Sequence, residues 1–301
     1  MPGDRDLRER DPGDRDLRER DLRERDLAEL AQRLDARLRE LGSVLVAFSG
    51  GADSALLLAA AVRALGTDRV VAATAVSPSL PAPELAAAAD VATSLGVRHL
   101  TPTTDELSRD GYRANSGDRC AFCKSELLDV LVPIAAEEGL EHVATGTNAD
   151  DVLAGFRPGI RAAADRGAVT PLLDAGLGKD AVRRISRAWG LSTWDKPAAA
   201  CLSSRIAYGV EVTAARLARV ERAETALRVA FDAAGLPVRD LRVRDLGDRA
   251  RIEVDPEQVA ALAARDDLLA VVDGFAAVEL DPRGFRSGSM NELLVDADRW
   301  R

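Results

Sequence analysis

The order of apolar and polar positions divides the chain into alternating helices and strands. Leu27, Leu30, Leu34, Leu38 and Leu41 recur at helical spacing, which predicts an amphipathic helix over about 27–41, closed by Gly42. Val44 to Phe48 is an apolar, β-prone run and reads as a strand. An Ala/Leu-rich helical pattern comes next at about 53–65 and stops at Gly66. Val70 to Val76 predicts a second strand, about 82–95 a helix ended by Gly96, and Val97 to Leu100 a third strand. A helix over about 124–137, a short strand at Val143-Ala144-Thr145 and a helix over about 179–188 continue the series. Strands that alternate with helices imply βαβ units and a parallel sheet, so the expected class is α/β. Such sheets bind ligands at the carboxyl ends of their strands, where Ser49, Thr74 and Ser77 fall.

The pattern changes after Pro197. Thr213 caps an expected helix to about Ala234, with Leu217, Val220, Leu227 and Phe231 on one face. Leu241 to Arg244 and Arg251 to Val254 alternate strictly and flank Gly247-Asp248, which predicts an antiparallel hairpin. A helix at about 256–272, a strand near 275–280 and a loop from Arg286 to Glu292 complete a smaller α+β unit. The expected division is therefore 27–195 and 196–301. Residues 1–26 repeat Asp-Leu-Arg-Glu-Arg around Pro12-Gly13, with 10 acidic residues, 8 arginines and little apolar surface. They are expected to form a disordered tail or a solvated, frayed helix.

Composition narrows the picture. The chain has 301 residues, 47% of them apolar and 30% charged, as in ordinary globular proteins. No apolar run is long enough for a bilayer, and the charged start predicts no signal peptide, so the expected location is the cytoplasm. A net charge of −9 argues against general nucleic-acid affinity. Lysine is confined to Lys124, Lys179 and Lys196, two of them close to cysteines. The cysteines number three, which is no disulfide scaffold.

The chemistry centres on the turn Ser49-Gly50-Gly51-Ala52-Asp53-Ser54, between the first strand and the next helix. Unpartnered N–H groups of a glycine turn and a helix start, aided by the helix dipole, make an anion site. Gly50 and Gly51 allow close backbone approach, Ser49 and Ser54 add hydroxyl donors, and Asp53 can hold Mg²⁺ or orient the loop. No Gly-Lys-Ser/Thr comes after it, so this is not a Walker A loop. An ordinary capped βα turn is the plain alternative, and the pattern is narrower than that. A second polar loop, Gly146 to Asp151, succeeds the Val143 strand and could contact a nucleotide base or metal, or be an Asx turn with an acidic cap.

Cys120-x-x-Cys123 stands at a helix start, with Cys201 far off in a non-periodic loop. Four readings are open. Structural cysteines would sit on apolar faces, whereas Cys120 adjoins Asp118 and Arg119, and Cys201 lies near two serines. A zinc site lacks a clear fourth ligand, since His99 and His142 lie in strand-like runs. A thioredoxin pair lacks the βαβ context immediately before it. Three thiolates can also hold a four-iron cluster with one iron left open, able to carry sulfide.

The Ser49–Ser54 loop resembles that of the PP-loop ATP pyrophosphatases, which cleave ATP between its α- and β-phosphates. The likeness implies a Rossmann-like sheet, with Ala47, Ser49, Gly50, Gly51, Asp53, Ser54, Thr74 and Gly146 around ATP. Together with Arg119-Cys120-x-x-Cys123-Lys124, Gly146 to Asp151, Lys196-Pro197 to Arg205, and Arg286-x-Gly-Ser-Met-Asn-Glu, it resembles the LarE family. The resemblance covers roughly 27–301. Members are ATP-dependent sulfur transferases that help make the nickel-pincer nucleotide of lactate racemase. The resemblance implies adenylation of a carboxylate of pyridinium-3,5-biscarboxylate mononucleotide, then replacement of AMP by sulfur. In single-cysteine members the residue matching Cys201 surrenders its own sulfur. Members with three cysteines matching Cys120, Cys123 and Cys201 hold a 4Fe-4S cluster, the version this chain's trio implies, with these three as catalytic residues. Arg205, Arg286, Lys124 and Asn148 are the expected substrate or phosphate contacts, and Asp53 with Asp151 the expected Mg²⁺ ligands. The expected cofactors are thus ATP, Mg²⁺ and the cluster, in a homo-oligomer. A tRNA-thiolating relative, a non-catalytic nucleotide or metal sensor and an amide-forming enzyme like NAD synthetase are the competing readings.

Overall fold

The computed structural model describes residues 12–153, 158–197, 200–286 and 288–294, with side chains from Arg25 onward. Residues 1–11 of the repeat, Arg157, Ala198, Ala199 and Ser287 lie outside the described residues. Helix α1 spans Pro12–Leu41 and so begins well before the expected Leu27. Proline is tolerated at a helix start, and the Leu, Arg and Glu of the repeat are good helix formers, so the second half of the repeat continues the helix.

The next elements are β1 (Val44–Ala47), α2 (Ala52–Leu65), β2 (Val70–Ala73), α3 (Ala82–Ser94) and β3 (Arg98–Leu100). Then come α4 (Asp110–Arg113), α5 (Arg119–Glu137), β4 (His142–Thr145), α6 (Ala149–Leu153), α7 (Pro158–Ala164), α8 (Pro171–Asp174) and α9 (Lys179–Ala188). The four strands form one parallel sheet in the order β3-β2-β1-β4, with Leu45 level with Val71 and Val143. Alternation sorts the side chains of β1: Val44 and Val46 join Leu34, Leu38, Leu56, Leu57, Val182 and Ile185 on one face. Leu45 joins Leu128, Leu131 and Val143 on the other. Helices thus cover both faces, which is why the central strands β1 and β2 are apolar throughout, whereas the edge strand β3 carries Arg98 and His99. The second strand stops at Ala73, three residues short of expectation, and Val76 makes only an isolated parallel bridge to Thr103.

Beyond Pro197 come α10 (Ala214–Ala233), β5 (Leu241–Asp245), β6 (Arg249–Val254) and β7 (Ala277–Leu280). The Thr213 side chain accepts from the Arg216 N–H at the start of α10, as the cap pattern predicted. The hairpin is antiparallel and β7 adds to β6 in parallel. Leu227 and Phe231 of α10 pack on Leu241, Val243 and Ile252. The helix expected over 256–272 is instead three short turns, Pro256–Gln258, Val259–Leu262 and Asp266–Leu269. Arg265 has a non-helical backbone there, with its guanidinium forked onto Asp267 at 2.8 Å by both donors. No helix among the described residues is long and apolar enough to cross a membrane.

Candidate functional site: a phosphate loop beside converging cysteines

The glycine turn lies at the carboxyl edge of the sheet. Phe48 N donates to Ala73 O at 2.8 Å, and Thr74 Oγ1 donates to Phe48 O at 2.7 Å, so the second strand anchors the loop's entry. Thr74 Oγ1 also lies 2.7 Å from His99 Nε2. Ser49 Oγ sits 3.1 Å from Ser54 Oγ, and Ser54 Oγ donates to Gly51 O at 3.2 Å. Gly50 has φ +69°, and a Cβ there would come 3.1 Å from that of Ala88. Gly146, after β4, is forced by proximity instead: a Cβ would meet Ser54 N at 2.9 Å and Ser54 Cα at 3.1 Å. The two polar loops read from the sequence are therefore in backbone contact.

Asn148, fully buried, ties these loops together through Nδ2 to Asp53 Oδ1 at 3.2 Å. Burial raises the Asp53 pKa, the Asn148 bond opposes this, and the charge of Asp151 adds to it. Lys179 Nζ stands 3.5 Å from Asp151 Oδ1. Asp53 and Asp151 thus share one electrostatic neighbourhood. Among the described residues, no three His, Cys, Asp or Glu side chains form a group that could hold a metal ion. Mg²⁺ needs fewer, since it commonly takes one or two carboxylates and completes its shell with water and substrate phosphates.

The segments that carry the cysteines are joined by a polar clamp. Asn115, wholly buried and with φ +52°, donates through Nδ2 to Ala207 O and Val210 O, both at 2.8 Å. Its Oδ1 accepts from Arg119 Nη1 at 2.6 Å, and the same nitrogen donates to Ser203 O at 2.8 Å. Leu202 N reaches Ser79 O at 2.8 Å, which fixes the turn Leu202–Arg205 against the first unit. Cys120 and Cys123 sit in the first turn of α5, and Cys201 immediately precedes the clamped turn, its Sγ 2.9 Å from Ser203 Oγ. All three are free, with Cys120 exposed and the others half-buried. Burial pushes the Cys123 thiol far above its ordinary pKa; the charges of Cys201, Glu106 and Cys120 add to this and Lys124 opposes it. Burial lowers the Lys124 pKa, against the pull of Cys123 and Cys120. The charges of Cys120 and Cys201 thus both bear on Cys123.

Two expected substrate contacts are engaged with neighbouring carboxylates. Arg205 is buried, forks onto Glu224 at 2.9 and 3.2 Å, and donates to the carbonyls of Ala200 and Cys201. Arg286 pairs with Glu292, while its Nε is buried with no partner. Arg205 forms one wall of a cavity of about 210 Å³ that also touches Glu84, Lys196, Glu224, Arg228 and Arg242. Arg242 is held down to about 10, by burial first and then by the charge of Arg205. Sequence reasoning left out several participants. Lys196 joins the phosphate loop to α3, donating to Gly50 O at 3.0 Å and Glu84 Oε2 at 2.7 Å. Buried Glu106 accepts from Ser77 Oγ at 2.5 Å and also from Ser79. Asn115 and Tyr112 were legible only as part of the polar stretch 112–118 before the cysteines, whereas Arg119 and Lys196 lie in the quoted motifs without an assigned role.

A parallel sheet with a lysine-free glycine turn at its carboxyl edge, backed by a second Gly/Asn/Asp loop, defines an ATP-using enzyme of the PP-loop class. A family model described as asparagine synthase matches residues 27–248. The chain is 36% identical over 267 residues to the pyridinium-3,5-bisthiocarboxylic acid mononucleotide synthase of Lactiplantibacillus plantarum, covering 88% of this chain and 94% of the relative. It is 44% identical over 261 residues to an uncharacterized protein of Synechocystis, covering 85% and 94%. The chain belongs to the LarE family of PP-loop ATP pyrophosphatases, as the resemblance implied, and is an enzyme with AMP-forming chemistry.

Proposed function

We propose that this enzyme adenylates a carboxylate of pyridinium-3,5-biscarboxylic acid mononucleotide and replaces the AMP by sulfur to give a thiocarboxylate. The observation that carries the reading is that Asn115 and Arg119 tie the segment carrying Cys201 to the one carrying Cys120 and Cys123. The Cys201 segment also carries Lys196, which touches the phosphate loop itself.

A carboxylate is a poor electrophile because its oxygen leaves badly. Its attack on the α-phosphorus forms an acyl-adenylate and expels pyrophosphate. The N–H groups of the Ser49–Ser54 turn, the Ser49 and Ser54 hydroxyls and Lys196 meet the charge that develops there. Asp53 and Asp151, oriented by Asn148, would hold the Mg²⁺ that offsets the rest. Thr74 and Gly146 act on the turn through the backbone. The cavity of Arg205, Arg228 and Arg242 suits an anionic substrate, with Arg286 on the outer loop as a further contact. A sulfur nucleophile then attacks the acyl carbon and AMP leaves with the electron pair.

We read the cysteines as ligands of a cluster on the chemistry of three thiols, since no three possible metal ligands are grouped among the described residues. Three free thiols come from two facing segments, and Arg119 and Lys124, both drawn electrostatically to them, have no carboxylate ion pair among the described residues. Cys120, Cys123 and Cys201 would hold a 4Fe-4S cluster, whose open iron would supply a place to carry sulfide. The same residues serve the alternative in which Cys201 gives up its own sulfur. Iron and acid-labile sulfide in anaerobic protein, with mass spectrometry of Cys201 after turnover, separate the two: an intact residue supports the cluster, dehydroalanine the sacrifice. Cys201→Ala is expected to abolish thiocarboxylate formation and spare pyrophosphate release. Thiolation by this variant at the wild-type rate overturns the assignment.

A further inference from the structure

Glu106 is buried in the turn Glu106–Ser108, between β3 and α4, and the chemistry proposed above makes no use of it. Its partners are two hydroxyls. Ser77 Oγ donates to Glu106 Oε1 at 2.5 Å, and Ser79 Oγ donates to the same oxygen. No arginine, lysine or histidine pairs with it among the described residues. Taking a carboxylate out of water without a counter-ion is costly, so the position of this one calls for a reason.

The reason lies two bonds away. Ser77 and Ser79 form a tight turn in which their hydroxyls are 2.8 Å apart and Ser79 N donates to Ser77 Oγ at 3.2 Å. Glu106 closes that turn, and a charged acceptor makes such bonds roughly twice as strong as a neutral one. The turn carries the Cys201 segment: Ser79 O accepts from Leu202 N at 2.8 Å, at the residue directly after the cysteine. Ser79 and Ser203 also lie within hydrogen-bonding reach of the Tyr112 hydroxyl, and Ser203 Oγ is 2.9 Å from Cys201 Sγ. Ser79, Tyr112 and Ser203 are all buried. Two routes, one through backbone and one through hydroxyls, thus lead from one carboxylate oxygen to the backbone and the sulfur of Cys201. The bonds from Ser204 Oγ and Arg205 Nη1 to Cys201 O, at 2.7 and 2.9 Å, fix the cysteine within its own turn but not against the first unit.

We propose that Glu106 is a positioning residue for sulfur transfer: acting through Ser79, it sets where the Cys201 sulfur stands relative to the activated carboxyl group. The inference rests on the sulfur-transfer reading above and holds whether Cys201 binds a cluster or gives up its own sulfur. It gives Glu106 no part in adenylation, since Ser77 and Ser79 lie outside the Ser49–Ser54 turn.

The test compares the full chain as wild type, Glu106→Gln, Ser79→Ala and the double variant. Glutamine keeps the shape and an acceptor oxygen but not the charge, so the thermal midpoint is expected to match or exceed that of wild type. Ser79→Ala keeps the carboxylate and gives the same kinetic information if glutamine is not accommodated. Pyrophosphate release with ATP and pyridinium-3,5-biscarboxylic acid mononucleotide is expected to stay within about twofold in rate and in KM for ATP. Single-turnover thiocarboxylate formation with added sulfide is expected to fall about 10–100-fold in each single variant, the cost of misplacing a reacting atom by an ångström. Because Glu106 acts through Ser79, the double variant is expected to lose no more than about twofold beyond Ser79→Ala. In chelator-treated protein, iodoacetamide followed by mass spectrometry is expected to modify Cys201 severalfold faster in Glu106→Gln, with Cys120 unchanged. Wild-type thiolation in Glu106→Gln, losses that multiply in the double variant, or equal alkylation of Cys201 overturns the inference and leaves the sulfur-transfer reading intact. Wild type that releases pyrophosphate but forms no thiocarboxylate overturns that reading and this inference with it.

Discussion

Replacing Asn115 by alanine tests the joint on which the cysteine site depends. The change deletes two donations at 2.8 Å, to Ala207 O and Val210 O, and the 2.6 Å bond from Arg119. Two neutral bonds contribute roughly 1 kcal/mol each, and a bond to a charged partner about 1.5–3 kcal/mol. Alanine at φ +52° adds about 1 kcal/mol of backbone strain that asparagine tolerates better. The sum, roughly 4–6 kcal/mol, is a large share of the 5–15 kcal/mol by which domains are held folded. Asn115→Gly loses the same bonds without the strain, so it is expected to fall short of wild type by about 1 kcal/mol less than alanine does. Urea unfolding followed by far-UV circular dichroism reads both, with the m-value expected to stay constant. A loss for Asn115→Ala below about 1 kcal/mol refutes the reasoning, for it would mean that the clamp carries little of the load assigned to it.

Gly146→Ala drives a methyl onto the Ser54 backbone, which cannot rotate aside, so α2 and the phosphate turn must shift. Overpacking of this kind costs about 1–3 kcal/mol, and a displaced anion cradle is expected to lower kcat/KM for ATP by about 10–100-fold in a pyrophosphate-release assay; unchanged kinetics contradict the contact. Burial lowers the His99 pKa below its ordinary 6.5, so the unfolded chain takes up the proton first. Stability is therefore expected to be full above pH 6.5 and to fall as the pH drops through the window beneath it. Thermal melts of His99→Gln across that range are expected to show a flatter profile; an equally steep one removes His99 from the account.

The parallel sheet was plain in the sequence because its central strands are short apolar runs between glycine- or proline-marked turns, and because helices cover both of its faces. The phosphate turn was plain for a related reason: its function is performed largely by backbone, and only a few residue types permit that backbone. The segment after Val254 was harder. Its apolar spacing suits a helix, yet Pro256 and the local Arg265–Asp267 fork break it into turns. The clamp was not legible at all. Nothing in the type of Asn115 or Arg119 says that its partners lie some ninety residues on, since a side chain bonded to a distant carbonyl leaves no periodic trace. Arg205 and Arg286 carry the opposite lesson. Their motif positions were visible, but their bonds to Glu224 and Glu292 depended on folding.

The strap from Leu202 to Val212 belongs by sequence to the second half but also packs on the first, while Ala207 N bonds Asp245 O and Arg205 forks onto Glu224. Leu202, Ile206 and Val212 roof Tyr112, Gly209 N reaches Asn115 O, and Val212 N reaches Arg113 O. A chimaera joined at Pro197 would exchange that roof for a foreign one and strip the native lining from the cleft it seals. A cut after Val212 would keep that roof with its host but strand Ala207 N and Arg205 from Asp245 and Glu224, so any grafted module must supply equivalents of both.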